Sequence, residues 1–417
     1  MKLWNRNFTI LVIGSFISAL GSSAAGVAFG IMIFKETGSP LSLALFTIAH
    51  IIPRVVTSFL IGPFIDRNSR KKIIVTLDFT YTILFSIIAI ILYQGFFNVA
   101  VFTAVGALFG VLDTIYQTAF MSMFPEVIPE GQHSKAYSIS SLIWPVSAAL
   151  MAPIAAFMIT TFTFGTALLM AFNAITFFMT ASMETTIKIE EKLNTSTVVK
   201  FQFTTDLKEG INYYKKEKGI LGIGILFSAF AFVYAAHDLL RMPYFVNSER
   251  LGLEHFGIVL TLQHFSFLIT ASAVGRMIGG IIHYIFKYPV QKRFLIAVSV
   301  YFTVEILSAT MLFLPYGFMI ATSFIVGLLS VTSFNIRMSA TQTYIPSTIR
   351  GRVNSTQSLL WNFGTILGCV LIGLIAEFSS FDYKYILLFV GLVTLSAIFM
   401  IPIRMKDEFK KIYNKDV

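Results

Sequence analysis

One cysteine, Cys369, is all the chain carries, and it falls inside an apolar run, so a disulfide framework and a cysteine-built metal site are both excluded. Charge is almost as scarce. Only 12% of residues are Asp, Glu, Lys or Arg, against roughly 25% in soluble domains. No G-x-x-x-x-G-K-[ST] loop, nucleophile–base arrangement or metal cluster is legible, so no enzyme is expected and no cofactor is called for. The opening residues run into an apolar stretch of about 27 residues, longer than the core of a cleaved leader.

Apolar matter fills the space. The chain is 56% hydrophobic with 43 phenylalanines, and runs long enough to cross a hydrocarbon core (about 20 residues) recur twelve times. They fall near residues 8–34, 42–65, 73–93, 99–123, 136–160, 164–183, 220–245, 256–286, 294–314, 318–344, 353–378 and 386–403. One long polar stretch, Glu184–Lys218, separates the sixth from the seventh, and its second part reads as an amphipathic helix along a membrane surface. The expected fold is an all-α membrane protein with a six-helix half over 1–183, a linker over 184–218, and a second half with a tail over 219–417. Such a plan suits parallel halves related by an axis along the membrane normal.

The net charge of +10 describes orientation. Loops on the side of the amino terminus, with the linker and the tail, hold 24 bases, among them Lys2, Lys192, Lys200, Lys287 and Lys415. The opposite loops hold Lys35, Arg250 and Lys384. By the positive-inside rule both termini and the linker are cytoplasmic, which an even number of spans allows. A nucleic-acid partner is not expected. A bacterial plasma membrane location, contact with membrane lipids and a monomeric state are.

The densest charge in the chain is the hairpin Gly62-Pro-Phe-Ile-Asp66-Arg67-Asn-Ser-Arg70-Lys71-Lys72, between the second and third runs. Gly62 is expected to let two helices approach closely, and the bases to pair with Asp66 or with lipid headgroups. Asp78, a turn and a half into the third run, is assigned to the same latch as Arg67 and Arg70.

Eight ionisable residues fall inside the spans: Arg54, Arg241, Arg276 and Arg337 against Asp78, Asp113, Asp238 and Glu305. Each unpaired charge at mid-membrane costs at least about 2.5–3.5 kcal/mol on insertion scales, so a matched set suggests mutual pairing around a wet path. Counting at about 1.5 Å per residue, Arg54 and Asp113 lie at similar depth, and His50 shares the face of Arg54. An Arg54–Asp113 pair is expected, either as a proton-coupling site or as a static pair that fixes packing. His237, Asp238 and Arg241 form one polar face near the outer end of the seventh span, ending at Pro243, as a gate, a substrate contact or an interfacial cap. Glu305 needs Arg276 or Arg337, or else stays neutral. Gln263, His264, Asn335, Arg337, Trp361 and Asn362 complete the candidates for a substrate cavity or gate, although a lone histidine such as His264 is more often simply packed and hydrogen-bonded.

The spacing G-x-x-x-D-R-x-x-R-K resembles the signature loop of the major facilitator superfamily, with Ser69 where that family usually has a second glycine. Trp144-Pro145 and Ala152-Pro153-Ile-Ala-Ala156 resemble, weakly, the antiporter motif of its drug exporters. Lys35-Glu-Thr-Gly-Ser39, Asp206-Leu-Lys-Glu-Gly210 and Arg350-Gly-Arg-Val353 extend the likeness to the macrolide-efflux branch. The resemblance implies export by alternating access, driven by a proton gradient. It also implies contact of Asp66 with Val353-Asn354-Ser355 at the start of the eleventh helix, which holds the cytoplasmic side shut. The cargo reads as an amphipathic small molecule of macrolide type. A siderophore or metal-chelating metabolite, a lysolipid, and a transport-inactive sensor or scaffold are the alternatives.

Overall fold

A computed structural model describes residues 3–189, 203–286 and 288–414. Lys2, Lys192, Lys200, Lys287 and Lys415, used above to orient the chain, and the middle of the polar linker lie outside them. The described chain holds twelve helices long and apolar enough to cross a membrane, and it divides into two compact units, residues 1–38 with 45–201 and residues 39–44 with 202–417.

In the first unit, α1 (Arg6–Thr37), α2 (Pro40–Leu60), α4 (Arg70–Tyr93), α5 (Val99–Met123), α6 (His133–Thr161) and α7 (Gly165–Glu184) are the long helices, and α3 (Gly62–Arg67) is a short one. α1 packs on α6 and α7, and α4 packs on α7 and α5. Ala152, Ala155 and Ala156 of α6 are fully buried, small residues that suit close helix packing. The second span stops at Leu60, five residues before its expected end. Pro63 sits in the first turn of α3, where its missing N–H costs nothing, whereas it cannot extend α2. A Cβ placed on Gly62 would meet nothing within 4 Å, so the expected close helix approach there is absent. Ser69 is the N-cap of α4 in extended backbone (φ −62°), its hydroxyl accepting from Lys72 N. That conformation needs no glycine, which accounts for the departure from the family loop.

In the second unit, α8 (Phe203–Lys216) precedes α9 (Lys218–Leu251), a two-stranded ribbon of β1 (Glu254–His255) and β2 (Ile258–Val259), and α10 (Leu262–Ile285). Then come α11 (Arg293–Thr310), α12 (Tyr316–Tyr344), α13 (Arg350–Phe378), α14 (Tyr383–Arg404) and α15 (Lys406–Tyr413). α9 pairs with α13, α10 with α12, and α11 with both α12 and α14. Two expected boundaries move. The seventh span, expected to end near residue 245, runs through Pro243 and continues to Leu251. The ribbon occupies the beginning of the expected eighth span, so α10 starts at Leu262.

The linker helix is bound to its own unit. Glu209 of α8 pairs with Arg352 of α13 at 2.5 Å, and Tyr214 donates to Gln357 Oε1 at 2.7 Å. The D-L-K-E-G and R-G-R motifs therefore meet in space. The basic tail is also more than an anchor. Phe409, Ile412 and Tyr413 of α15 are buried, the hydroxyls of Tyr413 and Tyr301 lie 2.9 Å apart, and Asn414 accepts from Phe294 N at 3.0 Å. A hydrogen bond to Tyr344, with Glu217 nearby, holds the Lys411 ammonium above its usual pKa. Truncating a buried phenylalanine to alanine costs about 3–5 kcal/mol. Phe409→Ala is therefore expected to lower the melting midpoint of the purified protein clearly, while Lys410→Ala leaves it in place. Equal midpoints for Phe409→Ala and the parent would show that the tail is not part of the core.

Candidate functional site

The first unit gathers two polar side chains around Asp113, 14 residues into α5 from Val99. His50 Nε2 lies 2.9 Å from Asp113 Oδ2, and the Tyr81 hydroxyl donates to Oδ1. Tyr81 is fixed by stacking on Phe177 at 4.7 Å, with Phe85 and Phe109 beside it. Gly110, one turn before Asp113, lets α2 reach α5, since a Cβ there would stand 2.1 Å from the His50 carbonyl oxygen. Thr114 then donates to Arg54 O at 3.1 Å. The acid and imidazole side chains remain 44% and 29% exposed, so this hydrogen-bonded pair is not sealed in the core.

The expected Arg54–Asp113 pair is corrected. Asp113 is held by His50 and Tyr81, while Arg54 is exposed and makes no ion pair among the described residues. Depth had allowed either base. The contact at Gly110 sets the azimuth, and that favours His50.

The charged hairpin is also rearranged. Arg70 pairs with Glu126, which a 3-10 turn (Phe124–Val127) delivers after α5. Lys71 donates to the carbonyls of Thr185 and Ile187 at 2.8 and 2.6 Å, a cation at the negative end of α7. Asp66 and Arg67 are exposed and form no ion pair among the described residues. Asp78 does not belong to this latch. It is 0% exposed and faces Glu184 at the end of α7.

In the second unit the polar face of α9 falls in the second half of the helix, with ten residues of α9 following Arg241. Tyr234 and Asp238, four residues apart, occupy the exposed face. His237 is buried, and neither ring nitrogen has a partner among the described residues. Arg241 stands in the field of Glu305 and Asp238, donates to Ser308 O at 3.4 Å, and keeps an unpartnered Nε. Glu305, 3% exposed on α11, thus answers Arg241; the expected partners were Arg276 and Arg337. Arg276 of α10 acts on Tyr234. Buried polar atoms without partners are uncommon in native proteins, and here they come together from α9 and α11.

The remaining candidates separate. Arg337 stacks over Phe227 at 4.1 Å and near Phe334 at 5.5 Å, a cation–π seat. His264 closes a capping box with Thr261 at the start of α10, with its ring edge-on to Tyr316, so it is structural. Gln263 neighbours it in that first turn. Asn362 donates to Ser358 O of its own helix, Trp361 is 37% exposed, and Asn335 is half-buried on α12. No group of three or more metal-ligating side chains occurs among the described residues. Sequence reasoning missed Tyr81, Tyr234 and Glu184. Tyr81 stands one turn after Asp78, and Glu184 had been counted into the polar linker, although it ends an apolar run.

The Major Facilitator Superfamily family model matches residues 11–348. Macrolide efflux protein A of Streptococcus pyogenes is 22% identical over 391 residues, covering 92% of this chain and 93% of the relative. The uncharacterized MFS-type transporter YkuC of Bacillus subtilis is 21% identical, covering 91% and 88%. Among solved structures, the nucleoside transporter NupG superposes with a TM-score of 0.72 at 16% identity over 97% of this chain and 100% of that one. A bacterial homologue of the iron transporter ferroportin, inward-facing, gives 0.68 at 16% over 98% and 99%. With twelve spans, two compact units and a family match over most of its length, the chain is a multi-pass membrane transporter, not an enzyme, and belongs to the major facilitator superfamily.

Proposed function

We propose that this transporter exports an amphipathic small molecule, with a macrolide-like drug as the leading cargo, in exchange for protons across a bacterial plasma membrane. The termini and the linker face the cytoplasm, as the distribution of bases favours. Asp113 is the carboxyl that takes and releases the transported proton. The observation that carries this reading is its setting: a half-exposed acid inside a span, held by a histidine and a tyrosine that can both follow its charge. An ionisable residue within a span is expensive and is most often retained for function. The His50 imidazole can donate to or accept from Asp113 at this distance, so a proton has a second seat beside the carboxyl.

Arg241, His237 and Asp238 receive the polar part of the cargo. The unpartnered Arg241 Nε and the His237 ring offer donors, which favours a molecule rich in acceptor oxygens. An acidic chelating metabolite shares that chemistry, so it stands as the second reading. The described residues lack a cluster able to hold a bare metal ion, which favours organic cargo over the ion alone.

Asp113→Asn is expected to reduce proton-driven efflux from inverted vesicles at least tenfold, with normal amounts of protein in the membrane. Efflux at the parent rate, still abolished by an uncoupler, would remove Asp113 from the coupling. Arg241→Lys keeps the charge opposite Glu305 but loses the planar fork of donors. Its KM for the transported macrolide should rise severalfold, with maximal velocity less affected; an unchanged KM would place cargo recognition elsewhere.

A further inference from the structure

Apart from the Asp113 site, the first unit buries a pair of acids. Asp78 of α4 is 0% exposed and Glu184 of α7 is 1% exposed. All four carboxyl oxygens lack a conventional donor among the described residues. The two groups act directly on one another, across the tightly packed α4–α7 interface. α1 closes over them: a Cβ on Gly14 would stand 3.5 Å from Glu184 Oε1.

What surrounds the pair decides its charge. Tyr116 faces both acids from α5, and Tyr81 acts on Asp78 from the next turn of α4. No lysine, arginine or histidine acts on either carboxyl among the described residues. That includes α1 and α6, the other helices packed on α7. The nearest base, Lys71, is directed to the carbonyls of Thr185 and Ile187, just beyond Glu184. Two adjacent carboxylates in an apolar interior with no cation cannot both stay ionised. A single proton resolves the site, because the acid it forms can donate to the carboxylate beside it.

We propose that Asp78 and Glu184 share one proton at neutral pH and form a second proton-binding site, joined to Asp113 through Tyr81. The joint is physical. The Tyr81 hydroxyl donates to Asp113, while the same residue lies in the field of Asp78. Gain or loss of a proton at either acid therefore changes the electrostatics at the other. The bound proton also holds α4 against α7, and its loss in alkali places two negative charges in that interface. This site does not depend on the direction of transport or on the cargo.

The test is infrared spectroscopy on the purified full chain in lipid nanodiscs, in the region of the protonated carboxyl C=O stretch. At neutral pH the parent and Asp113→Asn should both show a buried carboxylic-acid band that disappears in alkali. Asp78→Asn with Glu184→Gln should abolish it, and these neutral isosteres should keep the α4–α7 interface closed. Size-exclusion profiles of the same samples identify any variant that fails to fold, and the parent spectrum needs no variant. Absence of the band from the parent at neutral pH overturns the proposal, as does a band that survives in the folded double variant. Loss of the parent band on adding sodium chloride at constant pH would also overturn it, by showing a cation site.

Discussion

A charge far from water has to be neutralised, paired or wetted, and the polar architecture of this chain follows from the different ways its two units meet that requirement. In the first unit, Asp113 is partly exposed and held by His50 and Tyr81, while Asp78 and Glu184 are set together without a base. In the second, Arg241 is surrounded by Glu305 and Asp238 with no direct ion pair among the described residues. A scaffold would gain nothing from leaving buried donors and acceptors unmatched. For a transporter they are groups that can change partner as proton or cargo arrives.

The apolar packing determines where these groups can meet. Aromatic stacking fixes Tyr81, and the missing side chain at Gly110 brings His50 to Asp113. On the second unit, Arg337 is seated on Phe227, beneath the buried hydroxyl pair of Tyr301 and Tyr413. One of the four intramembrane arginines is thus committed to structure, which leaves Arg241 and Arg276 near the polar face of α9.

Span number and the all-α membrane class were legible because hydropathy and charge report on them directly, residue by residue. Partner identity was not. Helical rise gives depth along a span but not the direction in which a side chain points, and so Arg54 was matched to Asp113 when His50, one turn earlier, is the neighbour. Glu305 needed the packing of α11 to show that it answers Arg241. Helix ends moved at two places: Pro63 starts a new helix, and α9 runs past its expected end to Leu251. Glu184 was hidden by its position at the border of a polar stretch, and only the closure of α4 and α1 around it shows that it is interior.

The central claim is that the acids in these spans exchange protons as solute is bound and released. Purified protein in a weakly buffered solution with a pH-sensitive dye tests it most directly, on addition of a macrolide. The account predicts a stoichiometric release of protons that follows saturation of the protein with macrolide. Saturable binding with no change in proton uptake or release across the neutral range would contradict it.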